Sequence, residues 1–168
     1  MGDGREVKFI SEKDPEKLSW GELGIDVVVE SSGAFVTFEK ANAHITAGAK
    51  RVVITAPAKD EPADQTQATI LMGINDERFE GAIITSNASC TTNAGAPLIQ
   101  ILNEAIGVEK ALLNTTHGYT ASQGIVDGPT KKPVQPGHPG GGDFKEGRAA
   151  AQNIVPTSTG AAIAVTKA

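Results

Sequence analysis

Two runs of β-branched residues without polar interruption, DVVVE at 26–30 and RVVITA at 51–56, set the strongest limit on how this chain can fold. A strand with one wet face alternates apolar and polar residues. A run that does not alternate predicts a strand covered on both faces, as in a parallel sheet between helices. The residues between the runs agree. SSG at 31–33 turns the chain, TFEKANAHITA at 37–47 has helical composition with Thr37 as N-cap, and Gly48 stands just past the end. Strand, turn, helix and strand within about 30 residues make a βαβ unit, for which a right-handed crossover is expected.

The remaining segments read less uniformly. EVKFIS at 6–11 predicts a short strand, broken by Asp14-Pro15. Residues 59–67 are polar and contain proline, hence a loop. ATILMG at 68–73, read as core, and AIIT at 82–85 predict two more strands. After a polar cluster at 86–93, Leu98, Ile99, Leu102 and Ile106 fall at helical spacing within 94–106, and Gly107 ends the helix. EKALLNTTHGY at 109–119 reads as a strand. Residues 120–153 show little periodicity, and PVQPGHPGGG at 133–142 excludes helix and interior strand. A helix-like segment begins within 156–168.

Composition removes several classes of function. The chain has 168 residues, with 15 Lys plus Arg against 20 Asp plus Glu, a formal charge of −5. That balance argues against nucleic-acid and anionic-membrane partners, which need a cationic surface. No run of 18 apolar residues marks a membrane span, and MGDGREVKF lacks the apolar stretch of a signal peptide. Aromatic residues are 4%, so a core must come from Val, Ile, Leu and Ala. One cysteine permits no intrachain disulfide, which points to an intracellular compartment. One Cys and three scattered His give no metal-ligand spacing, so no metal is expected.

Cys90 is the most informative residue. It follows a strand and a polar turn and stands where a helix begins, and helix N-termini favour a thiolate. His117 comes 27 residues later, across a helix and a strand, an excursion that can return the chain to its starting edge. A Cys–His pair is a standard means of activating a thiol, and the helix N-terminus can also stabilise an oxyanion. The alternatives are a small buried cysteine and a structural histidine. The polar neighbours Ser89, Thr91, Thr92 and Asn93 weigh against the first. His44 reads as solvent-facing, His138 as exposed and Trp20 as packing.

The octet SNASCTTN at 86–93 resembles the active-site motif of the phosphorylating glyceraldehyde-3-phosphate dehydrogenase family. ESSG at 30–33, TAPAK at 55–59, THGYT at 116–120, VDGPTKK at 126–132 and RAAAQNIVPTSTGAA at 148–162 follow in that family's order and near its spacing. The resemblance implies an α/β fold: the C-terminal part of a Rossmann-type parallel-sheet domain, then the start of an α+β catalytic domain. Residues 1–88 would be a partial NAD(P)-binding domain, and 89–168 a partial catalytic domain with a long loop at 121–153.

By the same resemblance, Cys90 is the nucleophile toward the aldehyde and His117 the base. Ser89, Thr91, Thr159 and Gly160 hold the attacking inorganic phosphate, and Thr120 holds the substrate's own phosphate. Lys13, Ser31, Ser32, Gly33, Phe35, Thr55 and Ala56 contact NAD or NADP. Glyceraldehyde 3-phosphate is the implied substrate, in a homotetramer located in the cytoplasm, a plastid being the other compartment open to it. Erythrose 4-phosphate dehydrogenase and a truncated, non-catalytic product of the family are the rival readings. The chain departs from the pattern at several places. Lys13 replaces a common Arg, Ala94 replaces a second Cys, and 133–144 looks like an insertion. GxGxxG is absent from the chain. The chain therefore reads as an interior piece of a longer protein, expected to be inactive by itself.

Overall fold

The β-branched runs fold as strands. The structure, a computed structural model, describes residues 4, 6–130, 144–157 and 159–167. Its elements are β1 (Val27–Glu30), α1 (Phe38–Thr46), β2 (Arg51–Ile54), β3 (Gln67–Thr69), β4 (Ile84–Ser86), α2 (Cys90–Ile106) and α3 (Ala161–Lys167), with short 3-10 helices at Pro15–Lys17 and Asp76–Phe79. The four strands form one parallel sheet in the order β1-β2-β4-β3. The βαβ reading of residues 26–56 holds. The fold is α/β with a parallel sheet, as expected.

Two compact units divide the chain. One comprises Met1–Ala111 with Ala161–Ala168, the other Leu112–Gly160. In the first, α1 lays Phe38 and Ala41 against Val28, Val52, Ile54 and Ile84 of the sheet. Burial of each larger side chain in such a cluster is worth about 1.5–3 kcal/mol. Thr37 caps α1 as predicted, its side chain accepting from Lys40 N–H at 3.1 Å. Asp60, from the loop after β2, accepts from Phe38 N–H at 2.8 Å and Glu39 N–H at 3.1 Å. Gly48 follows the helix with φ +100°, and a Cβ there would stand 2.6 Å from the backbone of Gly21. Only glycine fits this crossing without displacing the chain. A second apolar cluster joins Leu71, Ala88 and Ala96 to Ala164 of α3.

Several expectations fail, each for a physical reason. β1 buries Val28 and Glu30 but leaves Val27 and Val29 exposed, so its run is covered on one face only. Residues 6–11 and 109–119 are irregular rather than strands, and Val7 and Phe9 are about 90% exposed. A strand persists only where a neighbour completes its ladder, and no described strand runs beside either segment. The strand expected at 68–73 shrinks to β3. There the buried Asn75 accepts from Leu71 N–H at 2.8 Å and donates to Thr69 O at 2.9 Å, folding the chain back. Leu71 is buried, whereas Met72 is exposed and no part of the core. The helix expected at 94–106 begins four residues earlier, at Cys90. It packs through Thr92, Gly95 and Ala96, leaving Leu98 and Leu102 exposed.

The second unit is organised by backbone contacts. Gly124 N–H donates to Glu146 O at 2.9 Å and Gly128 N–H to Gly147 O at 2.8 Å. Asp127 bridges Arg148 in antiparallel fashion, and their side chains pair at 2.9 Å. The 133–142 segment and His138 lie outside the described residues. Among the described residues, no helix is long and apolar enough to cross a membrane.

Candidate active site

Register aligns the ends of the strands. Glu30, Ile54 and Ser86 stand side by side across β1, β2 and β4. Because the strands are parallel, the residues that follow them, Ser31–Phe35, Thr55–Ala58 and Asn87–Cys90, leave the same edge of the sheet. This C-terminal edge is where open α/β sheets bind ligands. Thus the structure brings Ser31, Ser32, Gly33, Phe35, Thr55, Ala56, Ser89, Cys90 and Thr91 to one edge of the first unit. Lys13 lies outside the sheet, in an exposed segment whose backbone N–H donates to Glu12 Oε1 at 2.7 Å.

The turn carrying Cys90 is tightly determined. Ser86 is fully buried. Its Oγ donates to Ala56 O at 2.8 Å and accepts from Ala58 N–H at 3.2 Å and Ala88 N–H at 3.1 Å. Asn87 N–H donates to Ile54 O at 3.0 Å. Ala88, buried, holds φ +54°, a left-handed conformation that costs a non-glycine residue energy and gathers at functional sites. Ser89 is the N-cap of α2, accepting from Thr92 N–H at 3.1 Å and sharing a 2.7 Å hydrogen bond with Thr92 Oγ1. Asn93 Nδ2 reaches back to Asn87 O and Ser89 O at 2.8 and 2.9 Å.

Cys90 is therefore the first residue of a seventeen-residue helix, and it is exposed. No acidic residue occupies the first turn of α2, so nothing in that turn offsets the positive end of the helix. The arrangement suits an accessible thiolate or a nearby oxyanion. It does not suit the alternative of a cysteine buried among aliphatics.

The second unit holds His117, Thr120, Thr159 and Gly160. His117 is exposed, with Nδ1 at 2.7 Å from Gly118 O. Nδ1–H donating to that carbonyl leaves Nε2 as the basic nitrogen. Thr120 N–H donates to Gln123 Oε1 at 2.7 Å, and its hydroxyl meets Ser122 Oγ at 3.1 Å. Thr159 and Gly160 are exposed. Among the described residues no group of three metal-binding side chains occurs.

Sequence reasoning missed a buried polar chain beneath the 31–35 turn. His44 was expected to face solvent, yet it is 5% exposed, turned inward on α1. Its Nε2 lies 2.8 Å from Glu30 Oε2, and Trp20 Nε1–H donates to its Nδ1 at 3.2 Å. Glu30 Oε1 accepts a short hydrogen bond from Ser32 Oγ and one from Ser32 N–H at 2.7 Å. Ser32 Oγ in turn accepts from Ala34 N–H at 3.1 Å. Burial pushes the Glu30 carboxyl upward. The hydrogen bonds from Ser32 and His44 together outweigh burial and hold it below the usual carboxylate value. Glu30 also joins the two strand ends, because its carbonyl accepts from Thr55 N–H and Thr55 Oγ1, each at 3.1 Å. The one signal available in sequence was Glu30 itself, an acidic residue closing an apolar strand.

Residues 89–168 match the C-terminal domain of glyceraldehyde 3-phosphate dehydrogenase, and residues 1–38 match the NAD binding domain of that family. The chain is 47% identical to glyceraldehyde-3-phosphate dehydrogenase B of Aspergillus oryzae, covering 98% of this chain and 45% of the relative. It is 49% identical to glyceraldehyde-3-phosphate dehydrogenase of Clostridium pasteurianum, covering 97% and 45%. Identity is 47% to the cytosolic glyceraldehyde-3-phosphate dehydrogenase of Trypanosoma brucei brucei, over 98% of this chain. The chain spans less than half the length of these relatives.

Proposed function

Because this chain belongs to the glyceraldehyde-3-phosphate dehydrogenase family, we propose that the protein it represents oxidises glyceraldehyde 3-phosphate and traps the product with inorganic phosphate as 1,3-bisphosphoglycerate. The observation that carries the reading is the exposed Cys90 at the first position of α2, on the same sheet edge as the 31–35 and 55–56 segments.

The chemistry follows from these residues. His117 takes the Cys90 thiol proton; the thiolate attacks the aldehyde carbon, and the oxyanion so formed, facing the helix N-terminus, recovers that proton to give the hemithioacetal hydroxyl. His117 takes the proton of the hemithioacetal hydroxyl, the base role that its Nε2 suits. A nicotinamide cofactor held by Ser31, Ser32, Gly33 and Thr55 would supply the hydride acceptor. Cys90 then carries a thioester, which conserves the oxidation energy until phosphate attacks the acyl carbon and the thiolate leaves. Ser89, Thr91, Thr159 and Gly160 hold that phosphate through hydroxyls and backbone N–H groups, and Thr120 holds the phosphate of the substrate.

The cofactor segments suit a dinucleotide. Ser31, Ser32, Gly33 and Thr55 are exposed, and a Cβ on Gly33 would meet nothing within 4 Å. The one carboxylate of the turn, Glu30, is turned inward and engaged, so the exposed donors are hydroxyls and backbone amides. Phe35, Ala56 and Lys13 are assigned to cofactor contact as well. NAD is the cofactor of this reading and NADP its alternative. We assign residues 1–88 to cofactor binding and 89–168 to catalysis, in a cytoplasmic homotetramer. Lacking a GxGxxG turn, the 168 residues alone are assigned weak cofactor binding and no turnover.

Alkylation provides the test, with the labelled residue located by peptide mapping. In the whole protein, iodoacetamide at neutral pH is expected to label Cys90 rapidly and abolish aldehyde-dependent NADH formation. His117→Asn is expected to slow turnover by about 10²–10⁴-fold, the usual range for a general base. Turnover that survives Cys90→Ser, or proceeds without inorganic phosphate, would refute the mechanism. Running the assay with NADP and with erythrose 4-phosphate separates the alternatives.

A further inference from the structure

We infer that Trp20 and His44 are positioning residues for the cofactor turn: Trp20 fixes the tautomer of His44, and His44 holds the Glu30 carboxylate where it shapes residues 31–35. The inference rests on the reading that this turn lies under the nicotinamide cofactor.

The geometry determines the protons. An indole N–H can only donate, so His44 Nδ1, at 3.2 Å from Trp20 Nε1, must accept. The imidazole is then neutral with its proton on Nε2, and that N–H donates to Glu30 Oε2 at 2.8 Å. With Oε2 so engaged, Oε1 faces the turn and accepts from both Ser32 N–H and Ser32 Oγ. The Ser32 hydroxyl, having donated to Glu30, accepts from Ala34 N–H. Every link has one permitted direction, from the indole through imidazole and carboxylate to the backbone of residue 34. His44 and Glu30 are about 5% exposed, so water offers them little substitute. Phe35 also meets His44 edge-on, with ring centroids 6.1 Å apart, so the same imidazole contacts both ends of the turn. A plain packing role would not need this ordered chain.

Three substitutions test the inference. His44→Leu removes both hydrogen bonds. His44→Gln offers an amide oxygen to the indole and an amide N–H to Glu30. Trp20→Phe removes only the donor that sets the tautomer. In the whole protein, His44→Leu is expected to raise the KM for NAD about tenfold, the scale of one hydrogen bond to a charged group. The KM for the aldehyde is expected to stay within about twofold on the same scale. His44→Gln should recover most of the NAD affinity, and Trp20→Phe should fall between. The indole N–H signal that disappears in Trp20→Phe reports the first link. Imidazole 15N shifts should show the Nε2–H tautomer at neutral pH.

An unchanged KM for NAD in His44→Leu, or equal impairment in Gln and Leu, would overturn the inference. So would a Nδ1–H tautomer. Where His44→Leu fails to fold, Trp20→Phe decides the question alone: an unchanged KM for NAD overturns the inference. A wild type with the expected tautomer but no NAD binding would instead overturn the functional reading, and the positioning role with it.

Discussion

At the scale of single residues, Glu30 does the most for the least visible reason. It is buried, yet ionised, because Ser32 and His44 supply it with donors. Its folded-state pKa lies below the ordinary value of about 4.3, so over that interval the unfolded chain binds more protons. Stability from this group is therefore complete above the ordinary carboxylate value and disappears as pH falls through the depressed one. Glu30→Gln should remove that part of the acid dependence, which urea unfolding between pH 2 and 6 would register. At neutral pH the substitution should cost about 2 kcal/mol, since a charged acceptor is lost. An unchanged acid limb would show that Glu30 is not held ionised by these donors. The residues around Cys90 were legible in sequence because the polar cluster and the helix start are adjacent. His44 and Trp20 were not, because their partners lie 14 and 24 residues away on other elements. A lone histidine in a mixed helix carries no local mark of the carboxylate it will meet.

Elements show the same division between local and distant causes. Thr37 could be read as the cap of α1 because capping is written within four residues. Asp60 could not, being 22 residues from the helix start it also caps. Together they satisfy the N–H groups of Phe38, Glu39 and Lys40, three of the four that a helix start leaves open. Thr37→Ala should cost about 1 kcal/mol. Asp60→Ala should cost about 1–2 kcal/mol, two charge-assisted bonds discounted for partial exposure. Chemical denaturation of both variants checks the ranking, and a larger loss for Thr37→Ala would reverse it. Strands were legible only where a partner strand exists. DVVVE and RVVITA succeeded because they pair with each other, whereas EKALLNTTHGY has no Val or Ile and no described neighbour.

Across the whole molecule, stability should be unevenly distributed, and the pattern follows from burial. β2 and β4 occupy the centre of the sheet and carry Val52, Ile54, Ile84 and Ser86, each at most 2% exposed. Their amides can exchange with solvent only when the sheet itself opens. Residues 111–120 belong to no helix or strand, and every one is exposed. Local opening there disturbs no core, so its free energy should be small. Hydrogen exchange on the 168-residue chain is thus expected to protect β2 and β4 by several orders of magnitude more than 111–120. The contrast bears on function, because the slow region fixes the Cys90 turn through Ser86 and Asn87, while the fast region carries His117 and Thr120. The proposed nucleophile is thus fixed by strands expected to exchange slowly, and the proposed base sits in a segment expected to exchange fast. Strong protection at 111–120 would mean that a ladder forms there after all, and the strand reading of those residues would return.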